Sequence, residues 1–87
     1  MSCYIISYDL RNQRDYQSLH DAIKGLGKWA KILESVWAVV SNKSAAKIKE
    51  ELLKVMDNDD RVFIVKSGVE SSWKNVICKS SWLQDNL

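Results

Sequence analysis

The chain has 87 residues, 46% of them hydrophobic and 28% charged, and 13 basic side chains against 11 acidic ones leave a net charge of +2. That balance is one of an ordinary small globular domain and excludes a disordered, charge-rich chain. A domain of this size buries only about 60% of its unfolded surface, so a dimer interface would add stability. The modest charge neither demands nor excludes a nucleic-acid partner, which needs a local basic stripe rather than a basic protein. No apolar run approaches the ~20 residues required to span a bilayer. With no secretory signal at the start, a cytoplasmic location is expected.

Residues 3–15, CYIISYDLRNQRD, form a short apolar run that ends in Asp9 and passes into a polar turn carrying Arg11 and Arg14. Its length and bounds predict a central buried strand, with a carboxylate at the rim of a sheet. Asp15 is a plausible N-cap for a helix over residues 16–26, with Tyr16, Leu19, Ile23 and Leu26 on one face and Gly25 and Gly27 closing it. His20, on this helix, has no partner at zinc-ligand spacing and is expected on its half-exposed flank.

Residues 28–41, KWAKILESVWAVVS, are too long for one strand of a small domain. Glu34 and Ser35 break the run, which predicts strands over 29–33 and 36–40 joined by a tight bend. Asn42 or Ser44 then caps a helix over residues 45–56, with Ala45, Ile48, Leu52 and Val55 or Met56 facing inward. Glu50 and Lys54 stand at the favourable i,i+4 spacing on its solvated side. The acidic run at 57–60 lacks the glycine and distal glutamate of a calcium loop and reads as a solvated turn. RVFIVK at 61–66 is another central-type strand.

Beyond it, residues 73–79 suggest a fifth strand, and 80–87 a short helix or an extended tail. Trp73 and Trp82 are a heavy apolar load for such a segment and imply that it docks on something. Cys3 and Cys78 have no metal-binding spacing and read as small buried hydrophobes rather than a disulfide pair.

The order strand–helix–strand–strand–helix–strand gives a single α+β domain of ferredoxin-like βαββαβ form, a core over 3–66 and an extension over 67–87. Two helices pack on one face of a four-stranded antiparallel sheet. The nearly continuous apolar run at 36–40 implies that the other face is covered too, most simply by a second copy. Trp37, Trp73 and Trp82 are the expected interface residues, with the tail docking on the partner.

Several of these residues carry a resemblance. Tyr4-Ile5-Ile6-Ser7-Tyr8-Asp9-Leu10, a helix ending at Leu26-Gly27, Ile32-Leu33-Glu34-Ser35-Val36-Trp37 and a strand near 60–65 together resemble the CRISPR-associated protein two (Cas-two) family. The pattern is closest to the short proteins labelled SinR and is similar to virulence-associated protein D. Trp37 stands where members often have phenylalanine, and the tail after Gly68 follows no recognised pattern. The resemblance implies a homodimer of face-to-face sheets, in antiviral defence, with Asp9 across the two-fold axis from its mate. It also implies that Asp9 is the catalytic and metal-binding residue, holding magnesium for endonucleolytic hydrolysis of RNA or DNA. Other members of the family serve as non-catalytic adaptors that hold DNA for an integrase, so a binding module is the alternative.

Around such a site Arg11 and Arg14 would hold phosphates, Lys28 and Lys31 would extend a positive strip, and Tyr8 would stack a base. Against this, an aspartate at a strand end commonly just opens a turn, and loop arginines are ordinarily solvated. Ser7 and Ser35 have no histidine at a suggestive position for nucleophilic hydrolysis.

Overall fold

A computed structural model describes residues 1–11 and 16–87. The elements in chain order are β1 (Ser2–Asp9), α1 (Tyr16–Lys24), β2 (Lys28–Leu33), β3 (Val36–Ser41), α2 (Ala45–Leu53), β4 (Arg61–Lys66) and α3 (Ser80–Asn86). The strands form one antiparallel sheet in the order β2-β3-β1-β4. This is the ferredoxin-like α+β arrangement, with β1 and β3 central and β2 and β4 at the edges.

Alternation along the strands divides the sheet into two faces. Tyr4, Ile6 and Tyr8 of β1 and Trp37 and Val39 of β3 project toward α1 and α2, where they join Leu19, Ile23, Ile48 and Leu52 in the main core. Ile6, Leu19, Ile23, Val39, Ile48 and Leu52 have no exposed surface. Burying side chains of this size contributes roughly 1.5–3 kcal/mol each, and the helices are held to the sheet chiefly through them.

Both helices are shorter than their apolar spacing predicts. The amides of Gly25 and Leu26 bond to Asp21 and Ile23, so α1 gives way to a tight turn after Lys24. Gly27 then passes so close to the β3 edge that a Cβ there would overlap the Val40 carbonyl oxygen, which requires glycine. Ser44 caps α2, its hydroxyl accepting from the Lys47 amide at 3.1 Å. Lys54 pairs with Glu51 at 3.3 Å rather than with Glu50, which instead meets Lys47 at 3.9 Å. Asp15, the expected cap of α1, lies outside the described residues.

The second face differs from expectation in what covers it. Residues 73–79 form no strand; the Ile77 amide makes a single backbone bond to the Ile32 carbonyl at the outer edge of β2 (2.9 Å). The segment then turns into α3, which crosses the chain's own sheet. Trp82, Asp85 and Asn86 border β2, and Leu87 borders Ile5 of β1 and Val65 of β4. Leu83 between them is buried, as are Ala30, Ala38 and Cys3 on that side of the sheet. The extension thus covers the β2–β3 half of the face within one chain. Phe63 and Val65 of β4 remain exposed, at 66% and 44%.

Candidate functional site at the end of strand β1

Asp9 is the last residue of β1, and its side chain projects to the face away from α1 and α2. In the antiparallel register it stands opposite Arg61, the first residue of β4. Asp9 Oδ2 and Arg61 Nη1 are 3.6 Å apart, and both side chains are mostly solvent-exposed. Ser7 and Phe63 lie beside them in a shallow depression of about 180 Å³. Arg61 is a partner that the sequence reading missed; the pairing is a matter of register, which no local motif announces.

The loop after β1 is fixed by the acidic turn before β4. Asp60 accepts the Arg11 amide at 2.8 Å through Oδ1 and the Asp57 amide at 2.8 Å through Oδ2. Asp60 therefore ties two loops together at the Asp9 end of the sheet. Arg11 is exposed beside Asp9, and Arg14 lies outside the described residues.

Other expected site residues stand elsewhere. Lys28 pairs with Val40, and Val40 with Cys3, so Lys28 is level with the start of β1 and at the opposite end of the sheet from Asp9. Lys31 faces Trp37 in the register and meets Glu34 at 3.7 Å. Neither extends a positive strip to Asp9. Tyr8 is 5% exposed and belongs to the helix-side core, so it is no platform for a base. The strand alternation that exposes Asp9 necessarily buries its neighbour. Trp37, 2% exposed in the same core, is likewise unavailable to a second copy. Trp73 donates its indole N–H to Ser80 Oγ within the tail (3.2 Å), and Trp82 lines a groove against β2.

On the helix side, Tyr8 leads into an aromatic cluster that the sequence reading also missed. Its hydroxyl lies 2.7 Å from His20 Nε2 and 3.3 Å from the Glu34 carbonyl oxygen, to which it can donate. The His20 ring packs 4.8 Å from Trp37, Trp37 packs 5.3 Å from Trp29, and the Lys24 ammonium lies 4.9 Å over Trp29. Burial lowers the His20 pKa, with help from Lys31 and Lys24. Burial raises that of Tyr8; the Trp37 indole N–H, which finds no acceptor at hydrogen-bonding geometry, still lies near enough to oppose the rise. The spacing of Tyr16 and His20, one helical turn apart, was the signal available for this cluster.

Among the described residues no three histidine, cysteine, aspartate or glutamate side chains stand together. At its site Asp9 offers one carboxylate, with a guanidinium already beside it. Magnesium usually takes one or two carboxylates together with waters and phosphate oxygens. Among the described residues, Asp9 alone would fit such an ion as one half of a two-fold site.

The sheet order and two helices on one face, with an exposed carboxylate ending a central strand, define a ferredoxin-like domain of the kind that presents an acid at the sheet rim. The family model for CRISPR associated protein Cas2 matches residues 1–75, and the chain belongs to that family. The match ends before α3, leaving the helix that crosses the second face outside it. Comparison with curated proteins gave no match. No helix among the described residues is long and apolar enough to cross a membrane.

Proposed function

We propose that this Cas2-family chain acts on nucleic acid as a homodimer, with Asp9 of each protomer as the catalytic and metal-binding residue of a magnesium-dependent endonuclease. The observation that supports this reading is the position of Asp9. It is exposed at the end of a central strand, on the face that also carries Ile5, Phe63 and Val65. A second copy laid on that apolar strip would bury Phe63 and Val65 and bring two Asp9 carboxylates toward the shared axis. A bound magnesium ion would supply polarisation of a phosphoryl oxygen and an activated water. Among the described residues, Arg61 and Arg11 supply cations at that end of the sheet, suited to a phosphate backbone.

The test is cleavage of labelled single-stranded RNA and duplex DNA across a magnesium titration, with Asp9→Ala alongside. Loss of cleavage with fold and dimer retained is expected; undiminished cleavage by the purified variant overturns the catalytic role. A second reading, a non-catalytic dimer that binds nucleic acid or protein, is favoured by one observation: the Arg61 guanidinium already stands 3.6 Å from Asp9. It predicts no turnover, and nucleic-acid binding that weakens with salt and persists in a chelator.

A further inference from the structure

A second, more spacious depression than the one at Asp9 lies elsewhere on the molecule. It is a groove of about 500 Å³ between the outer edge of β2 and the C-terminal segment. One wall is the whole run Lys28-Trp29-Ala30-Lys31, and the other comes from Ile77 to Asn86, outside the family match. The groove is therefore specific to this chain's extension. We propose that it is a docking site for an extended, acidic peptide segment of a partner protein, which adds as a strand to β2.

Three observations lead to that occupant. First, β2 is an edge strand with β3 on one side, and unpaired edge backbone is a template for another strand. The chain already uses this edge once, where the Ile77 amide donates to the Ile32 carbonyl. That bond closes one end of the groove and leaves four residues of β2 along it, a length of roughly 13 Å, enough for about four residues of an added strand. Second, exposed apolar side chains flank the edge: Trp29, 42% exposed, on the helix side against Trp37, and Ile77, 54% exposed, with the half-buried Trp82 on the C-terminal wall. Third, Lys28 and Lys79 border the groove against the single carboxylate of Asp85, while Lys31, which also lines it, already meets Glu34 at 3.7 Å, and Lys24 stands over Trp29. A positive rim around an apolar floor selects acidic side chains alternating with aliphatic ones. The free edge backbone favours a peptide over a nucleic-acid strand, which would gain nothing from it.

The test uses the full chain and an end-blocked, fluorescein-labelled hexapeptide of alternating valine and glutamate, followed by anisotropy and by amide shifts of the labelled protein. Saturable binding is expected, with shifts confined to residues 28–32 and 77–86. Charge reversal in Lys28→Glu/Lys79→Glu should weaken it by roughly tenfold, since each exposed ion pair contributes little alone. N-methylation of alternate peptide amides should abolish it, because it removes the ladder donors and leaves composition intact. The two lysines are exposed and outside the core, so the double variant should fold; its circular dichroism checks this. Absence of binding, equal binding of the N-methylated peptide, or shifts on β4 instead overturns the proposal. So does tighter binding of a six-residue oligothymidylate to the same groove, which would make it a nucleic-acid surface. None of these outcomes depends on Asp9 or on cleavage.

Discussion

Asp9 of β1 and Arg61 of β4 face each other across the antiparallel register, and their charges meet at 3.6 Å on the sheet face that α1 and α2 leave open. Both side chains are well hydrated, at 60% and 66% exposure, so the pair contributes no more than about 1 kcal/mol to folding. Asp9→Asn and Arg61→Ala should each shift the urea stability by less than that. This makes both variants clean probes of function. Arg61→Ala also separates the two readings of the site. Removing the guanidinium should lower the magnesium requirement of a hydrolase, and should weaken binding by an adaptor that uses Arg61 on phosphates.

His20 gives the fold a pH dependence of defined sign. Burial, Lys31 and Lys24 hold its folded pKa below the ordinary 6.5. The unfolded chain therefore takes up the proton first as pH falls. The stabilisation is complete above pH 6.5 and is lost as pH drops through that value toward the folded pKa. Urea midpoints measured from about pH 7 to 5 should fall more steeply for the natural chain than for His20→Phe. Equal slopes would show that burial and the two lysines do not bias the ring toward its neutral form.

Much of this arrangement was legible because apolar runs and helical spacing are local signals. The strands around Ile6, Val39 and Ile64 and the helix faces of Leu19, Ile23, Ile48 and Leu52 follow from pattern alone. Asp9 at the rim followed from where the first apolar run stops. What was not legible depends on contacts between distant segments. Arg61 reaches Asp9 only through strand register, and Lys28 is carried to the far end of the sheet by the same register. Tyr8 is a different case: alternation with Asp9 already required it to point inward. Residues 73–79 have strand-like composition, yet only the Ile77 amide bonds to β2, and composition cannot report a missing ladder.

Leu83 tests whether the extension is part of the folded unit. It is 1% exposed and lies outside the helix-side core, on the helix that crosses the second face. Truncation to alanine removes buried methyl groups and leaves a cavity, so Leu83→Ala should cost about 2–4 kcal/mol in urea denaturation. A loss below roughly 0.5 kcal/mol would be that of a surface position and would mean that α3 is not docked in solution.

Phe63 bears on the dimer. At 66% exposure it contributes little to the folded monomer, and with Val65 it forms the apolar part of the half-face that α3 leaves uncovered. A carboxylate placed there would be desolvated on association, and Arg61, two residues away on the same strand, already serves Asp9. Phe63→Asp should therefore leave the monomer's stability within about 0.5 kcal/mol and raise the dimer dissociation constant at least tenfold, roughly the cost of one unpaired interface charge. Light scattering across a dilution series reads the dimer, and Lys49→Glu on the exposed side of α2 serves as a control charge change. If Phe63→Asp remains dimeric at the concentrations where the natural chain does, the interface lies off the β1–β4 half-face. Two Asp9 residues then do not meet there, and the paired-carboxylate reading loses its geometric basis.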